Sequence, residues 1–202
     1  EVWAKYGHHK SFRGWYLSQE ISRRTRNVSK IYAAMGRHAK EISGGLKTMI
    51  SPYIHGVKTD QVMAGDKALS VEEHRREWNE ILGNVAGAVD ILAFQDGQVD
   101  YRELYDYLVV NKALADKYGM AFYFGMYDSG KYWQEGLFRR EIDLNLKLID
   151  EVWARYGHHK SFQGWYLSQE ISRSEKMQSE FISSISHELR TPLTAITGWS
   201  ET

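Results

Sequence analysis

The chain has 202 residues, and its 26 Lys and Arg residues balance 26 Asp and Glu residues, so the formal net charge at pH 7 is zero. Because of that balance the whole protein has no net electrostatic attraction to nucleic acid or to a membrane surface, and no nucleic-acid partner is expected. The sequence contains no cysteine, which excludes disulfides, thiolate metal sites and cysteine nucleophiles. No apolar run approaches the roughly 20 residues that span a bilayer, so no transmembrane segment is expected in this stretch. Because the sequence opens on Glu1 inside a helix-like segment, we interpret it as a fragment.

Helices and strands are predicted in strict alternation along the chain. Apolar, aromatic-rich runs bounded by Gly or polar residues predict strands, and amphipathic runs with capping residues predict helices. A capping box is predicted where Ser70 precedes Glu73 by three residues. The predicted elements are strand 14–21, helix 24–43, strand 47–54, helix 70–87, strand 88–97, helix 100–119, strand 120–130, helix 138–157 and strand 164–171.

This alternation predicts an α/β fold built on a parallel sheet, in the form of a partial TIM-barrel-like sheet followed by a C-terminal amphipathic helix. Polar or acidic residues end the predicted strands, and in a parallel barrel those ends share the face where active sites lie. Asp and Gly also simply begin turns, which is the alternative explanation of the same pattern. The candidate substrate-binding residues are Glu20, Asp96, Asp128, Trp165, Gln169 and Glu170.

An internal repeat links the two ends of this region. Residues 1–23 recur at 151–173, and only Lys5/Arg155 and Arg13/Gln163 differ between the copies. The offset of 150 residues is far longer than a solenoid unit. The first copy leads into the helix predicted at 24–43, whereas the second leads into an unrelated C-terminal segment.

Four segments resemble a bacterial TIM-barrel family of unknown function that is grouped with glycoside hydrolases. They are "GWYLSQEIS", "TMISPYIHG", "VDILAFQDG" and "FYFGMYDSGKYW", and the resemblance covers roughly residues 1–173. In that family the corresponding strands would be the fourth, fifth, sixth and third, so this chain would run four, five, six, three, four. The order indicates joined pieces of one barrel gene, with Tyr118-Gly119-Met120 as the expected junction.

The resemblance also implies a ligand and candidate acids. Related retaining glycosidases carry an acid/base Glu after the fourth strand, which corresponds to Glu20 and Glu170 in this chain. Their nucleophile follows the seventh strand, which has no counterpart here, although Asp96 or Asp128 could substitute. Retention requires the two carboxyl groups to lie about 5 Å apart. A carbohydrate ligand is therefore expected, whereas hydrolysis by this chain alone is not.

An incomplete barrel also poses a physical problem. Four or five βα units do not close an eight-stranded barrel, and an open parallel edge exposes unpaired backbone groups. Such a piece must dimerise, pair with sequence outside this stretch, or be partly disordered.

The C-terminal segment "FISSISHELRTPLTAITGW" at 181–199 resembles the phosphoacceptor helix of sensor histidine kinases. The six-residue core, His-Glu-Leu-Arg-Thr-Pro at 187–192, is intact, so the domain boundary is predicted between 1–173 and 174–202. Apolar residues spaced four apart form a stripe that suits packing on a partner helix, which predicts a homodimer through this helix. His187 lies opposite that stripe and should face water.

The residues of this motif have expected roles. His187 would accept phosphate through a ring nitrogen, and Glu188 would orient the ring and accept its proton. Arg190 would complement phosphate charge. By resemblance, Thr191 would place water for dephosphorylation of a response regulator, the expected partner. No cofactor is expected in this chain, because ATP and Mg²⁺ would belong to a kinase domain outside it, and no metal site is predicted.

Two functions therefore remain open. The first is a fragment of a two-component sensor histidine kinase, cytoplasmic at the phosphoacceptor helix, with a barrel-like, carbohydrate-sensing region whose location the sequence leaves open. The alternative is a glycoside-hydrolase-like barrel fragment with an incidental kinase segment. Among the other histidines, His74 is expected to be solvated within a charged helix, and His55 is a candidate to line the cleft.

Overall fold

A computed structural model describes residues 1–18, 27–59, 67–95 and 99–167. These residues form a sheet of five parallel strands whose spatial order equals their chain order. The strands are β1 Gly14–Tyr16, β2 Lys47–Ile50, β3 Ile91–Phe94, β4 Ala121–Gly125 and β5 Phe162–Tyr166. The helices are α1 Val2–Tyr6, α2 Val28–Ile42, α3 Val71–Val85, α4 Tyr101–Lys117, α5 Lys131–Gln134 and α6 Phe138–Tyr156. Consecutive parallel strands joined by helices give the singly wound arrangement of a TIM barrel, which confirms the predicted α/β, partial-barrel fold.

The two faces of the sheet differ in burial. Alternate strand residues, such as Ile50, Leu92 and Phe124, are buried in the core that the helices cover. Residues of the opposite set, such as Tyr16 and Tyr123, are exposed or half-buried. Because successive side chains of a strand point to opposite faces, the helices cover one face and the other corresponds to the interior of a barrel.

Local sequence explains where the helices begin and end. The capping box at the start of α3 is present, because Glu73 N donates to Ser70 Oγ and Ser70 N donates to Glu73 Oε2 at 2.9 Å. Gly44 follows α2 with φ of 65° and Gly119 follows α4 with φ of 65°. A left-handed residue just after a helix is most easily a glycine. The predicted capping box is confirmed.

The amino ends of β2 and β3 are held together by a charged contact with α2. Lys40 Nζ lies 2.8 Å from Asp90 Oδ1, and Thr48 N donates to Asp90 Oδ2 at 3.0 Å. Burial alone would raise the pKa of Asp90, but the hydrogen bonds from Lys40 and Thr48 outweigh it and leave the pKa below its ordinary value. The carboxylate thus connects one helix to two strands.

One exposure prediction was wrong, and several boundaries moved. His74 is buried with 0% exposure, because it faces α4 and the sheet and not solvent. The strands are shorter than the apolar runs predicted, and the short helix α5 was not predicted.

The C-terminal helix and the 173/174 boundary lie outside the described residues. Among the helices that the structure describes, none has the length and apolarity needed to cross a membrane.

Candidate functional site

Polar side chains meet at the carboxyl edge of β1, β2 and β3. Gln95, just after β3, donates from Nε2 to the Ser51 carbonyl at 2.8 Å and to Ser51 Oγ at 3.3 Å. The hydroxyls of Ser51 and Tyr16 are hydrogen-bonded to each other. Gln95 N also donates to Pro52 O at 2.7 Å, which prolongs the β2–β3 pairing beyond the strands. These contacts give the hydroxyl and carboxamide groups fixed positions at this edge.

A lysine lies against a tyrosine at the same edge, after β4. Lys58 Nζ donates to Tyr127 Oη at 2.9 Å and lies 4.8 Å from the centroid of the Tyr127 ring. Asp100 Oδ1 is 4.0 Å from the same ammonium group. The ring of Tyr101 packs edge-on against Tyr127 with centroids 5.4 Å apart. We call Tyr16, Ser51, Lys58, Gln95 and Tyr127 the carboxyl-edge cluster.

The loop after β4 is held by two side chains of α6. Tyr127 N donates to Asn145 Oδ1 at 2.8 Å, and Asn145 Nδ2 donates to the Tyr127 carbonyl at 2.9 Å. Glu141, which is buried, accepts from Ser129 N at 3.0 Å and from the Ser129 hydroxyl. Because buried polar groups hold their partners firmly, α6 fixes the position of Tyr127 in the cluster.

The structure places two of the predicted site residues. Asp128 is partly exposed in the loop after β4, and its Oδ1 accepts from Gly130 N at 2.7 Å. Trp165 lies in β5 beside Phe124 and packs on the rings of Phe124 and Phe162, with centroids 5.7 Å and 5.2 Å away. This places the indole in the layer between sheet and helices, and ligand contact by Trp165 stays a prediction.

Most of the predicted site residues lie outside the described residues and stay predictions. These are Glu20, Asp96, Gln169, Glu170, His187, Glu188, Arg190 and Thr191. Conversely, Ser51 and Lys58 belong to the cluster but were not predicted from the sequence. Ser51 lies inside the strand predicted at 47–54, and only the structure, where this strand ends at Ile50, places it at a strand end. Nothing in the local pattern around Lys58 indicates its contact with a tyrosine 69 residues away.

No metal centre is found in the part of the chain that the structure describes, since no three His, Asp or Glu side chains there form a group able to hold an ion. His55, the candidate cleft residue, is buried, and its ring lies 4.9 Å from that of Tyr53, measured between centroids. The cluster therefore offers hydroxyl, carboxamide, ammonium and aromatic groups, which suit a polar, uncharged ligand with an apolar face.

A family model described as "Domain of unknown function (DUF4434)" matches the chain twice, over residues 1–114 and 111–202. Two matches to one model agree with the internal duplication. They meet at residues 111–114, a few positions before the expected junction at 118–120. The second match includes the segment that resembles a kinase helix.

Among solved structures, one from Bacteroides thetaiotaomicron VPI-5482, described as "a putative alpha-L-fucosidase", is similar to this chain, with 37% sequence identity and a TM-score of 0.69. The alignment covers 93% of this chain and 57% of that chain, so this chain spans just over half the length of its relative. No curated protein matches the chain. The structural similarity supports a glycosidase-like barrel fold, and neither match concerns a histidine kinase.

Proposed function

Because this chain belongs to the DUF4434 family of domains of unknown function, and its fold is that of a glycoside-hydrolase-like barrel, we propose that it forms part of a carbohydrate-binding barrel site at the carboxyl-edge cluster. The observation that carries the proposal is the 37% identity, over 93% of this chain, with the structure described as "a putative alpha-L-fucosidase". We therefore take a deoxyhexose such as L-fucose as the first ligand to test.

The chemistry of the carboxyl-edge cluster supports this ligand class. Sugar hydroxyls need both donors and acceptors, and in this cluster Gln95 supplies an acceptor and Lys58 supplies donors. Two bonds from Nε2 to Ser51 fix the orientation of the Gln95 carboxamide, so its Oε1 has a defined position as an acceptor. Lys58 adds N–H donors held in place by Tyr127. Fixed polar groups at a sheet edge lose little freedom on binding, which favours affinity.

Hydrolysis is a further step that would need two carboxyl groups about 5 Å apart. Glu20 and Glu170 are the acids that the family resemblance implies. The carboxylate of Asp128 lies in the loop after β4, at the same edge. We propose Glu20 or Glu170 as the acid and Asp128 as the candidate second carboxylate. Hydrolysis of 4-nitrophenyl α-L-fucopyranoside, followed by the release of 4-nitrophenol, tests this assignment. Asp128→Asn should abolish any activity that the unmodified chain shows.

Ligand-observed NMR with L-fucose tests the binding proposal, and D-glucose serves as the comparison sugar. We expect Gln95→Ala and Lys58→Met each to weaken L-fucose binding by about tenfold, as loss of a hydrogen bond to a polar or charged group does. Lys117→Met is the matched control, because Lys117 donates to Asn79 on the outer helices, away from the carboxyl edge. Absence of L-fucose binding, or equal binding by all three variants, would contradict the proposal.

A second candidate function is supported by the sequence at 187–192 alone. The intact His-Glu-Leu-Arg-Thr-Pro segment supports phosphate acceptance by His187 from a kinase domain supplied in trans, with a response regulator as the next acceptor. Incubation of the chain with a complete kinase core and labelled ATP tests this function. Label that persists in a His187→Ala variant would refute it.

A further inference from the structure

The two copies of the internal repeat form the two opposite edges of the sheet. β1, from the first copy, pairs with β2, whereas β5, from the second copy, pairs with β4. Both strands contain the sequence Gly-Trp-Tyr and run in the same direction. Each turns its Trp toward the helix layer, since Trp15 Nε1 donates to Ser43 Oγ at the end of α2 and Trp165 packs on the buried Phe124. The same strand therefore pairs through one edge in the first copy and through the other edge in the second.

Burial of one leucine shows what the second copy lacks. Leu17 is 5% exposed, whereas the equivalent Leu167 is 71% exposed. Leu17 N donates to Met49 O at 2.9 Å, so in the first copy the backbone at this position is paired with β2. Since the sequences around the two leucines are the same, we attribute the difference in their exposed fraction to the adjacent strand, which is β2 for the first copy and β4 for the second.

Burial of one valine shows the reverse relationship on the helix side. Val2 in α1 is 51% exposed, whereas the equivalent Val152 in α6 is 0% exposed. None of the five residues of α1 is buried, but α6 has 19 residues and buries several of them. The second copy is thus the better anchored in its own chain, and the first copy is the more easily displaced.

We propose that β5 of one copy of this chain takes the place of β1 against β2 of a second copy, and that the exchange is reciprocal. Each copy then contributes β2 to β5, and two sets of four parallel strands give the eight strands that close a TIM barrel. The contact is isologous, as expected of a twofold dimer. Closure removes both open edges of the sheet, which otherwise expose unpaired backbone groups.

The exchange reproduces contacts already made by the first copy. Tyr16 pairs with Met49 and its hydroxyl bonds to Ser51, so Tyr166 would make the same contacts with the second copy. Leu167 would become buried as Leu17 is. The carboxyl-edge cluster would then combine side chains of two copies, with Tyr166 in the position of Tyr16.

Cysteine cross-linking tests the register directly, because the chain has no cysteine of its own. A chain with Met49→Cys is mixed with a chain with Tyr166→Cys under mild oxidation. Directly paired parallel strands bring Cα atoms within the roughly 4.4–6.8 Å that a disulfide requires. We expect a covalent dimer from the mixture at a yield well above that of either variant alone. No enrichment in the mixture would overturn the proposal.

Sedimentation equilibrium of the full chain provides an independent test. We expect the unmodified chain to be a dimer and Leu167→Asp to be a monomer with unchanged circular dichroism, since Leu167 has little to lose within its own chain. Val109→Asp is the matched control, an exposed apolar residue on α4, and should remain a dimer. A monomeric unmodified chain would overturn the proposal. So would a dimer that survives Leu167→Asp, the result expected if association occurs through the C-terminal segment.

Discussion

His74 Nε2 lies 2.6 Å from Asn111 Oδ1, in the layer where α3 and α4 pack against β3. Both side chains have 0% exposure, and the rings of Phe94 and Tyr107 lie 5.7 Å and 5.1 Å from the imidazole, measured between centroids. Burial lowers the pKa of His74 to about 4, because the charged form loses its hydration. A polar pair thus joins two helices in an aromatic environment.

The first prediction is that stability falls as pH falls from 6.5 to 4. In this window the unfolded chain binds a proton at His74 that the folded chain does not. The free energy of unfolding is therefore highest above pH 6.5 and decreases as pH falls toward the folded pKa of about 4. The shift corresponds to about 3 kcal/mol in the free energy of unfolding. Urea unfolding at pH 7, 5.5 and 4 measures it. A His74→Gln variant should lose much of this pH dependence, and an unchanged slope would contradict the assignment.

The second prediction concerns the pair itself. Asn111→Leu should lower the free energy of unfolding by about 1–3 kcal/mol, because it leaves a buried imidazole nitrogen without its partner. Replacing both residues, in a His74→Phe and Asn111→Leu double variant, should cost less than the sum of the two single changes. Thermal unfolding of all four proteins gives the coupling energy, and additive losses would contradict the prediction.

The third prediction is that Asp90→Ala destabilises the chain by about 1 kcal/mol, since the carboxylate connects Lys40 of α2 with Thr48 of β2 and is only partly exposed to solvent. Because the pKa of Asp90 is lowered, its contribution persists above its ordinary pKa and is lost only as pH falls below about 4. The loss in Asp90→Ala should therefore be the same at pH 7 and pH 5.5, unlike that of His74. A loss that grows between these two pH values would be inconsistent.

The fourth prediction tests a close approach between α2 and the segment before β3. A Cβ atom added at Gly36 would lie 2.3 Å from the carbonyl oxygen of Ala88, so the helix or the segment would have to move. We expect Gly36→Ala to lower the free energy of unfolding by about 1–3 kcal/mol, as overpacking does, despite the better helix propensity of Ala. Arg37→Ala, at the exposed neighbouring position, should change stability by less than about 0.5 kcal/mol. Equal values for the two variants would reject the packing argument.

Much of the fold could be predicted because it depends on local chemistry. Strand-helix alternation, the Ser70 capping box and the glycines at 44 and 119 require information only from neighbouring residues. The burial of His74 could not be predicted in this way, because α3 has many charged residues and the environment of His74 comes from α4 and β3. The exposure of a histidine is decided by tertiary neighbours.

The candidate site was harder to predict than the fold for the same reason. Polar residues at strand ends identified Asp128, since parallel strands end at a common edge, whereas Gln95, the neighbour of the candidate Asp96, was not among the candidates. The contact of Lys58 with Tyr127 joins two loops, and the anchoring of Tyr127 by Asn145 depends on how α6 crosses the sheet. Such pairings follow from topology, which a periodic pattern does not specify.

The near-identity of residues 1–23 and 151–173 has a genetic consequence. Unequal crossing-over between the two encoding segments would insert or remove a block of 150 residues without disturbing the reading frame or either boundary. One insertion would widen the sheet by four strands, and one loss would leave β1 without its sheet. Recombination could therefore change the number of strands in steps of one 150-residue block, since each block begins and ends with a copy of the repeat.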